Sequence, residues 1–370
     1  MQIEFKESFP GDHYVRNVAA EVMQIDDMQP LQPGPPGALR IRGQLRYDAQ
    51  TAYDYLAPRL RKLGYTALLR QERDSVALLA MPGSIAVRDS PLWLAVLLFV
   101  LTVASTTFVG GWMPDTDGTA QYSLGLGLAF SAALLSILLA HELGHFLMAR
   151  RLGVAVSYPF FIPMPFFLLG TMGAFISMKE PPPHRNGLLS IAIAGPIAGL
   201  VVAIPMLILG LLLSEVKPLV IEPGQQLLME GNSLLYAAIK IAVFGRFLPS
   251  GGEDVLLHPV AFAGWAGLLV TGLNLIPAGQ LDGGHIFFAL FGPQVARIAT
   301  WVIGLALVAM GFLWGGWFIW ALLIVLFGQQ RAPLLNEVTP LDTRMRLLAV
   351  AGLIIFVLVF VPRPLMLMTP

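Results

Sequence analysis

The stretch YSLGLGLAFSAALLSILLAHELGHFLMA, residues 122–149, decides how the rest of the chain is read. Its apolar run has about the 20 residues needed to cross a bilayer, and it ends in His141-Glu142-Leu-Gly-His145. In a helix, positions i and i+4 lie on one face a turn apart, so the two imidazoles can share a zinc ion. Glu142 stands beside them and can take a proton from water at that ion. An ionisable residue within a span costs roughly 2.5–3.5 kcal/mol on insertion scales and points to function by default. Three within five positions outweigh the alternative, polar residues that satisfy one another for packing.

The composition agrees with a membrane setting. Hydrophobic residues make up 56% of the 370, charged residues 12%, and mean hydropathy is +0.71, far from the roughly 25% charged of a soluble domain. Zero net charge, Lys+Arg 23 against Asp+Glu 23, gives no pointer to nucleic acid. With no cysteine, disulfides, Cys-ligated zinc, Fe–S clusters and thiol nucleophiles are excluded. Residues 1–90 hold 22 of the 46 charged residues. We therefore expect a soluble N-terminal domain over 1–88 and a membrane domain over 89–370. The N-terminus shows neither a signal peptide nor an organelle transit peptide. A bacterial inner membrane is the simplest home and a mature organellar chain the other.

Within the soluble part, Gln-Pro-Leu-Gln-Pro-Gly-Pro-Pro-Gly at 29–37 reads as a linker or long loop. A strand is expected over 38–47, then a helix capped by Asp48 and ended by Gly64. Two hairpin strands follow, over 65–71 and 75–81. This small α+β unit, βαββ-like over about 38–83, carries no catalytic constellation. A regulatory, substrate-gating or purely stabilising role is open to it.

Candidate spans fall at about 92–113, 122–149, 187–213, 258–277, 297–313, 316–328 and 347–364. The expected fold is thus a polytopic α-helical membrane protein of six or seven spans. Arg88, Arg150, Arg151, Lys179, Arg185, Arg331, Arg344 and Arg346 fall on one side, which the positive-inside rule makes cytoplasmic. The opposite loops carry Asp115, Asp117, Glu215, Glu222, Glu230, Glu253 and Asp254, with Lys217, Lys240 and Arg246. The N-terminal domain and the His145 end of the second span are then both cytoplasmic. Residues 158–178 are apolar, but Pro159, Pro163, Pro165, Gly170 and Gly173 prevent a spanning helix. They read as a re-entrant loop or hairpin packed against the second span. Its extended part, 170–177, either offers free backbone to another extended chain or merely seals the bundle.

Catalytic zinc usually takes three protein ligands and leaves a fourth position open. Of the 12 acidic residues beyond residue 90, only Glu142 and Asp282 adjoin apolar segments with a route to the site. Asp282 lies in NLIPAGQLDGGH, residues 274–285, on the same membrane face as His145, where Pro277 and three glycines break the helix.

HELGH at 141–145 together with NLIPAGQLDGGH at 274–285, in a polytopic chain, resembles the site-2 protease family of intramembrane zinc metalloproteases. Gly170-Thr-Met-Gly-Ala174, Gly231-Asn-Ser233 and His258-Pro259 are smaller likenesses. They point to the branch related to the chloroplast EGY proteases of plants. The resemblance covers roughly residues 88–330 and extends to the soluble βαββ-like unit. It implies one Zn2+ per chain on His141, His145 and Asp282, with Glu142 as general base. It also implies a membrane-protein substrate, cleaved in or beside a transmembrane helix. Asn274 would be a polar partner in the active site, two turns before Asp282, placed to donate to the developing oxyanion; a helix-to-helix hydrogen bond is its other reading. His285 either supports the ligands or lies at the membrane boundary, His258 caps a helix, and His184 is a polar loop residue. Many bacterial members carry a PDZ domain between the two motifs. Residues 214–257 are too few for one, so the N-terminal domain is the expected substitute for substrate filtering. Two rivals are a membrane zinc peptidase with a Glu third ligand, and a non-proteolytic transporter or scaffold that retains a metal site. No later span has an interior Glu, and no internal repeat is evident.

Overall fold

The computed structural model describes residues 3–4, 12–85, 90–113, 121–219, 227–328 and 334–368. The boundary expected near residue 88 lies outside them, as do Asp115, Asp117, Glu222 and Arg331. The chain opens with β1 (Ile3–Glu4), α1 (Asp12–Val22), β2 (Met23–Pro30), β3 (Leu39–Leu45), α2 (Ala49–Lys62), β4 (Tyr65–Glu72), β5 (Ser75–Pro82) and β6 (Ser84–Ile85). Four strands form an antiparallel sheet in the order β2-β3-β5-β4, and β1 pairs with β6. Burial alternates along β3 and β4, as one buried sheet face requires. Leu39, Ile41 and Leu69 thereby pack with Val15, Ala19, Leu56 and Leu60 of the two helices. Asp48 caps α2 by accepting from the Thr51 amide at 2.9 Å. Gly64 turns the chain at φ +84°.

Four elements here go beyond the sequence reading: β1, α1, β2 and β6. β2 takes Gln29 and Pro30 out of the stretch read as linker and pairs Pro30 with Leu39. Proline fits there because β2 is an edge strand, and its missing N–H breaks no ladder bond.

The remainder is mainly helical: α3 (Leu92–Gly110), α4 (Leu124–Arg151), α5 (Arg185–Leu212), α6 (Leu234–Phe244), α7 (Pro259–Asn274), α8 (Asp282–Met310), α9 (Gly316–Phe327) and α10 (Thr343–Val359). Short strands interrupt it: β7 (Phe160–Pro163), β8 (Thr171–Phe175), β9 (Glu215–Pro218), β10 (Leu227–Glu230), β11 (Glu253–Leu256) and β12 (Leu365–Met368). Among the described residues, α3, α4, α5 and α8 are long and apolar enough to cross a membrane. The stretches read as further spans form the shorter helices α7, α9 and α10, of 16, 12 and 17 residues. α8 is two helical segments: one begins at Asp282, the backbone leaves helical geometry at Gly292 (φ 80°, ψ 179°) before Pro293, and the second segment, which runs to Met310, holds the stretch read as a span from about 297.

Lipid offers no hydrophobic drive for helix association, so close packing must supply it. Small residues make that possible. A Cβ on Gly264 of α7 would lie 2.6 Å from the Leu207 Cα of α5. Thr106 of α3 and Ser131 of α4 hydrogen-bond across their helices at 2.7 Å.

Residues 158–178 form the antiparallel hairpin β7–β8. It leans chiefly on α3 rather than on the second span: Phe161 meets Phe99 edge-on at 5.0 Å, and Ser105 Oγ donates to the Gly170 carbonyl at 2.6 Å. The far connector also departs from expectation. Glu230, Lys240 and Asp254, read as loop charges, come together, Lys240 and Asp254 buried and Glu230 half-buried, with Lys240 Nζ 3.7 Å from Glu230 and 3.9 Å from Asp254. They lie on β10, α6 and β11.

A strap at 334–339 ties the sheet to the helices. Leu69 donates to the Leu335 carbonyl, and Glu337 donates back to Leu69, on the open edge of β4. The opposite side of the strap bonds Pro182 and Pro183, just before α5. Asn336 is fully buried between the two.

Candidate metal centre

Leu124–Arg151 is a continuous helix, started by a Ser123 cap. His141 and His145 therefore lie one turn apart, with their Nε2 atoms 3.1 Å apart. α7 ends at Asn274, and the chain makes a tight loop before α8 starts at Asp282. Glycine is required in that loop. A Cβ on Gly283 would fall 1.9 Å from the Leu275 carbonyl oxygen, and Gly279 sits at φ +61°. The loop delivers Asp282 Oδ2 to 3.3 Å from His141 Nε2 and 3.2 Å from His145 Nε2. As the first residue of α8, the carboxylate also lies at the positive end of a helix dipole.

The three donor atoms form a nearly equilateral triangle. Two donors on a tetrahedral ion at about 2.0–2.1 Å stand roughly 3.3 Å apart, so this triangle has the edge of one tetrahedral face. Two imidazoles and a carboxylate are a donor set for a single divalent ion with one position left open. His145 Nδ1 lies 2.8 Å from the Ile191 carbonyl of α5. That contact fixes the tautomer with hydrogen on Nδ1 and turns the Nε2 lone pair to the centre.

His141, Glu142 and His145 are buried, while Asp282 keeps 16% of its side chain exposed. All four line a cavity of about 680 Å³, together with Ala174, Ile176 and Ser177 from the exit of the hairpin. The Ile176 backbone is within hydrogen-bond reach of the Glu142 carboxylate. Asn274 Nδ2 is 3.3 Å from His141 Nε2, at the centre itself. His285, one turn after Asp282, lines the same cavity. His258 caps α7 by accepting from Val260, and His184, in the connector just before α5, caps that helix by accepting from Gly187.

The sequence reading placed α5 as a span over 187–213 but missed its part in the centre. Gly195 and Gly199 face the two imidazoles so closely that a Cβ would stand 2.1 Å from His145 Nε2 and 3.2 Å from His141 Nδ1. Gly195-Pro-Ile-Ala-Gly199 is a small-xxx-small pattern in a span. That pattern was the available signal.

A helix-borne pair of histidines closed by a distant carboxylate, among helices of membrane length, is a group that could hold a single metal ion. Residues 129–313, half of the chain, match Peptidase family M50, and the chain belongs to that membrane-embedded family of site-2 proteases. It is 30% identical over 347 residues to the probable zinc metalloprotease EGY2, chloroplastic, of Arabidopsis thaliana, covering 89% of this chain and 61% of that one. The rice (Oryza sativa subsp. japonica) probable zinc metalloprotease EGY1, chloroplastic, is 34% identical over 301 residues, 73% of this chain and 51% of the relative. The Arabidopsis thaliana probable zinc metallopeptidase EGY3, chloroplastic, is 29% identical over 283 residues, 72% and 48%. The chain thus spans about three fifths or less of the length of these relatives. No solved structure matches it.

Proposed function

We propose that the protein is an intramembrane zinc metallopeptidase that hydrolyses a peptide bond in or beside a transmembrane helix of another membrane protein, in regulated intramembrane proteolysis. The observation that supports this most is the convergence of His141, His145 and Asp282 within 3.1–3.3 Å, with Glu142 in the same cavity. Membership of a peptidase family and the relatives' names favour it over a transporter or scaffold.

In this reading His141, His145 and Asp282 would hold one Zn2+, which would supply Lewis-acid chemistry for a carbonyl and a water at the centre. Glu142 would be the general base that takes a proton from the attacking water and returns it to the leaving amine, and Asn274 would donate to the oxygen that gains charge. The substrate helix must first unwind, since its carbonyls are hydrogen-bonded and shielded. The extended 170–177 edge beside the cavity then suits pairing with the opened strand.

The domain division, 1–88 soluble and 89–370 proteolytic, belongs to this proposal. So do six or seven spans, a cytoplasmic N-terminal domain standing in for a PDZ filter, and a bacterial inner membrane. The word chloroplastic in the relatives' names describes those proteins.

The test pairs zinc stoichiometry with cleavage of a membrane substrate by wild type and Glu142→Ala. One zinc per chain in both, with cleavage lost by at least about a hundredfold in the variant, is expected. Undiminished cleavage by Glu142→Ala would remove the mechanism.

A further inference from the structure

The cavity that holds His141, Glu142 and His145 has one wall made of a single run of chain: Ala174, Phe175, Ile176, Ser177 and Met178 all line it. Ala174 and Phe175 end β8, where they pair with Phe161 and Phe160 of β7. Past that point the run is held by residues just before β7. The Ser157 amide donates to the Ser177 carbonyl at 2.9 Å, the Lys179 amide donates to the Ala155 carbonyl at 2.8 Å, and Val156 bridges Met178.

One bond in this ladder comes from a side chain. In a regular antiparallel pair the Ser177 amide would return its bond to the Ser157 carbonyl. Here it donates instead to Ser157 Oγ at 2.9 Å, and that hydroxyl donates in turn to the Tyr158 carbonyl at 2.9 Å. Ser157 is 2% exposed, so removing the hydroxyl strands a buried amide. Successive amides of an extended chain point to opposite sides. The Ser177 amide faces Ser157, and the Ile176 amide faces the other way, within reach of the Glu142 carboxylate. The run is thus gripped by a serine on one side and meets Glu142 on the other.

We propose that Ser157 is a positioning residue for peptide hydrolysis: through Ser177 it fixes the run so that the Ile176 amide holds the Glu142 carboxylate in place. A carboxylate with a fixed donor loses the freedom to turn among its rotamers. A base works only when held within reach of the proton it takes, and a displacement of about 1 Å can cost a hundredfold in rate. Ser157 itself does not line the metal cavity, so it acts through the run and not on the reacting atoms. The proposal rests on the reading of Glu142 as general base and adds to it a device at the root of the hairpin.

The test uses the zinc-loaded full chain, reconstituted with a single-span helix of leucine and alanine that carries a central Gly-Pro pair to ease unwinding. Cleavage is expressed per bound zinc, so that a loss of folded chain cancels. Ser157→Ala should lower kcat roughly tenfold at an unchanged KM, a part of the hundredfold or more expected when the base is lost. Ser157→Thr keeps the hydroxyl and should lose far less. With Glu142→Ala already present, Ser157→Ala should cost nothing further, because both changes act through one group. Hydrogen exchange, read without substrate, should quicken at the Ser177 and Ile176 amides in Ser157→Ala. Unchanged kcat per zinc, equal losses in the alanine and threonine variants, the same tenfold loss on top of Glu142→Ala, or unchanged exchange at both amides would each overturn the proposal. Undiminished cleavage by Glu142→Ala would bring down the base and this proposal together, whereas loss there without loss in Ser157→Ala would bring down this proposal alone. If Ser157→Ala binds no zinc, Ser157→Cys, close in volume and a weaker acceptor, decides by the presence or absence of the loss per zinc.

Discussion

Gly195 on α5 lies against the imidazole of His145 on α4, with an ideal Cβ at that glycine only 2.1 Å from Nε2 and 2.4 Å from Cδ2. One turn earlier on α5, the Ile191 carbonyl holds the other ring nitrogen at 2.8 Å. The same helix thus orients the ring and leaves the space it occupies.

Gly195→Ala should displace His145 while the helices still form. Metal affinity is expected to fall roughly 100-fold, the upper range for losing the support of a ligand. Gly199→Ala, with its new methyl 3.2 Å from His141 Nδ1, should cost far less. Metal content by elemental analysis, with circular dichroism for fold, checks both. Full occupancy in Gly195→Ala would refute this account of the packing.

The three donors join α4 to the start of α8, so an ion there cross-links two helices far apart in sequence. Chelation should lower the thermal midpoint, and added zinc should restore it. At a thousandfold excess of metal over Kd, binding to the native state is worth about 4 kcal/mol. Asp282→Ala should lose most of that response. A midpoint indifferent to chelator in the wild type would count against a shared ion.

Asn336 ties the strap to both of its neighbours. Its amide donates to the Ala49 carbonyl at 3.0 Å and to Thr339 Oγ1 at 2.7 Å, and its oxygen accepts from Val338 and Thr339. Asn336→Ala leaves buried groups unpaired, at roughly 1–3 kcal/mol. The β4 edge should then open, visible as faster amide exchange at Leu69 and Glu337. Unchanged exchange there would show that the strap holds without Asn336.

Asp48 provides a pH test outside the membrane. Hydrogen bonds from Thr51 hold its carboxyl below the usual carboxylate value. A depressed native pKa means that the unfolded chain binds the proton more readily, so stability from the cap is present above about pH 4. It is lost as pH falls through the native value. First-turn amides of α2 should lose protection on acidification in the wild type. Asp48→Asn should keep the cap and lose this acid dependence. An identical acid response in both would assign the effect elsewhere.

Much of the centre was legible because it rests on local rules. HELGH in an apolar helix must put two imidazoles on one face, and Pro277 with the glycines around Asp282 must break the chain there. Asp48, Gly64 and the hairpin near Arg73 follow equally local signals. The misreadings share a different origin. Residues 29–30 looked like linker because proline density was weighed without knowing that β2 is an edge strand. Glu230, Lys240 and Asp254 looked solvated because each charge was read alone, and only their mutual approach allows burial. Residues 282–291 were not read as helical, because the span was started only after Gly292-Pro293, where the backbone does leave helical geometry.

By itself the order of amino acids determined the helical spacing of the two histidines and the membrane setting, because each depends on periodicity and apolar length over a few turns. Tertiary structure alone decided that Asp282 reaches the two imidazoles, and that α5 glycines make room for them. It likewise decided that Arg150 and Lys179, far apart in sequence, line one cavity. Those relations depend on how closely distant segments approach, and that distance is set by packing across the whole bundle.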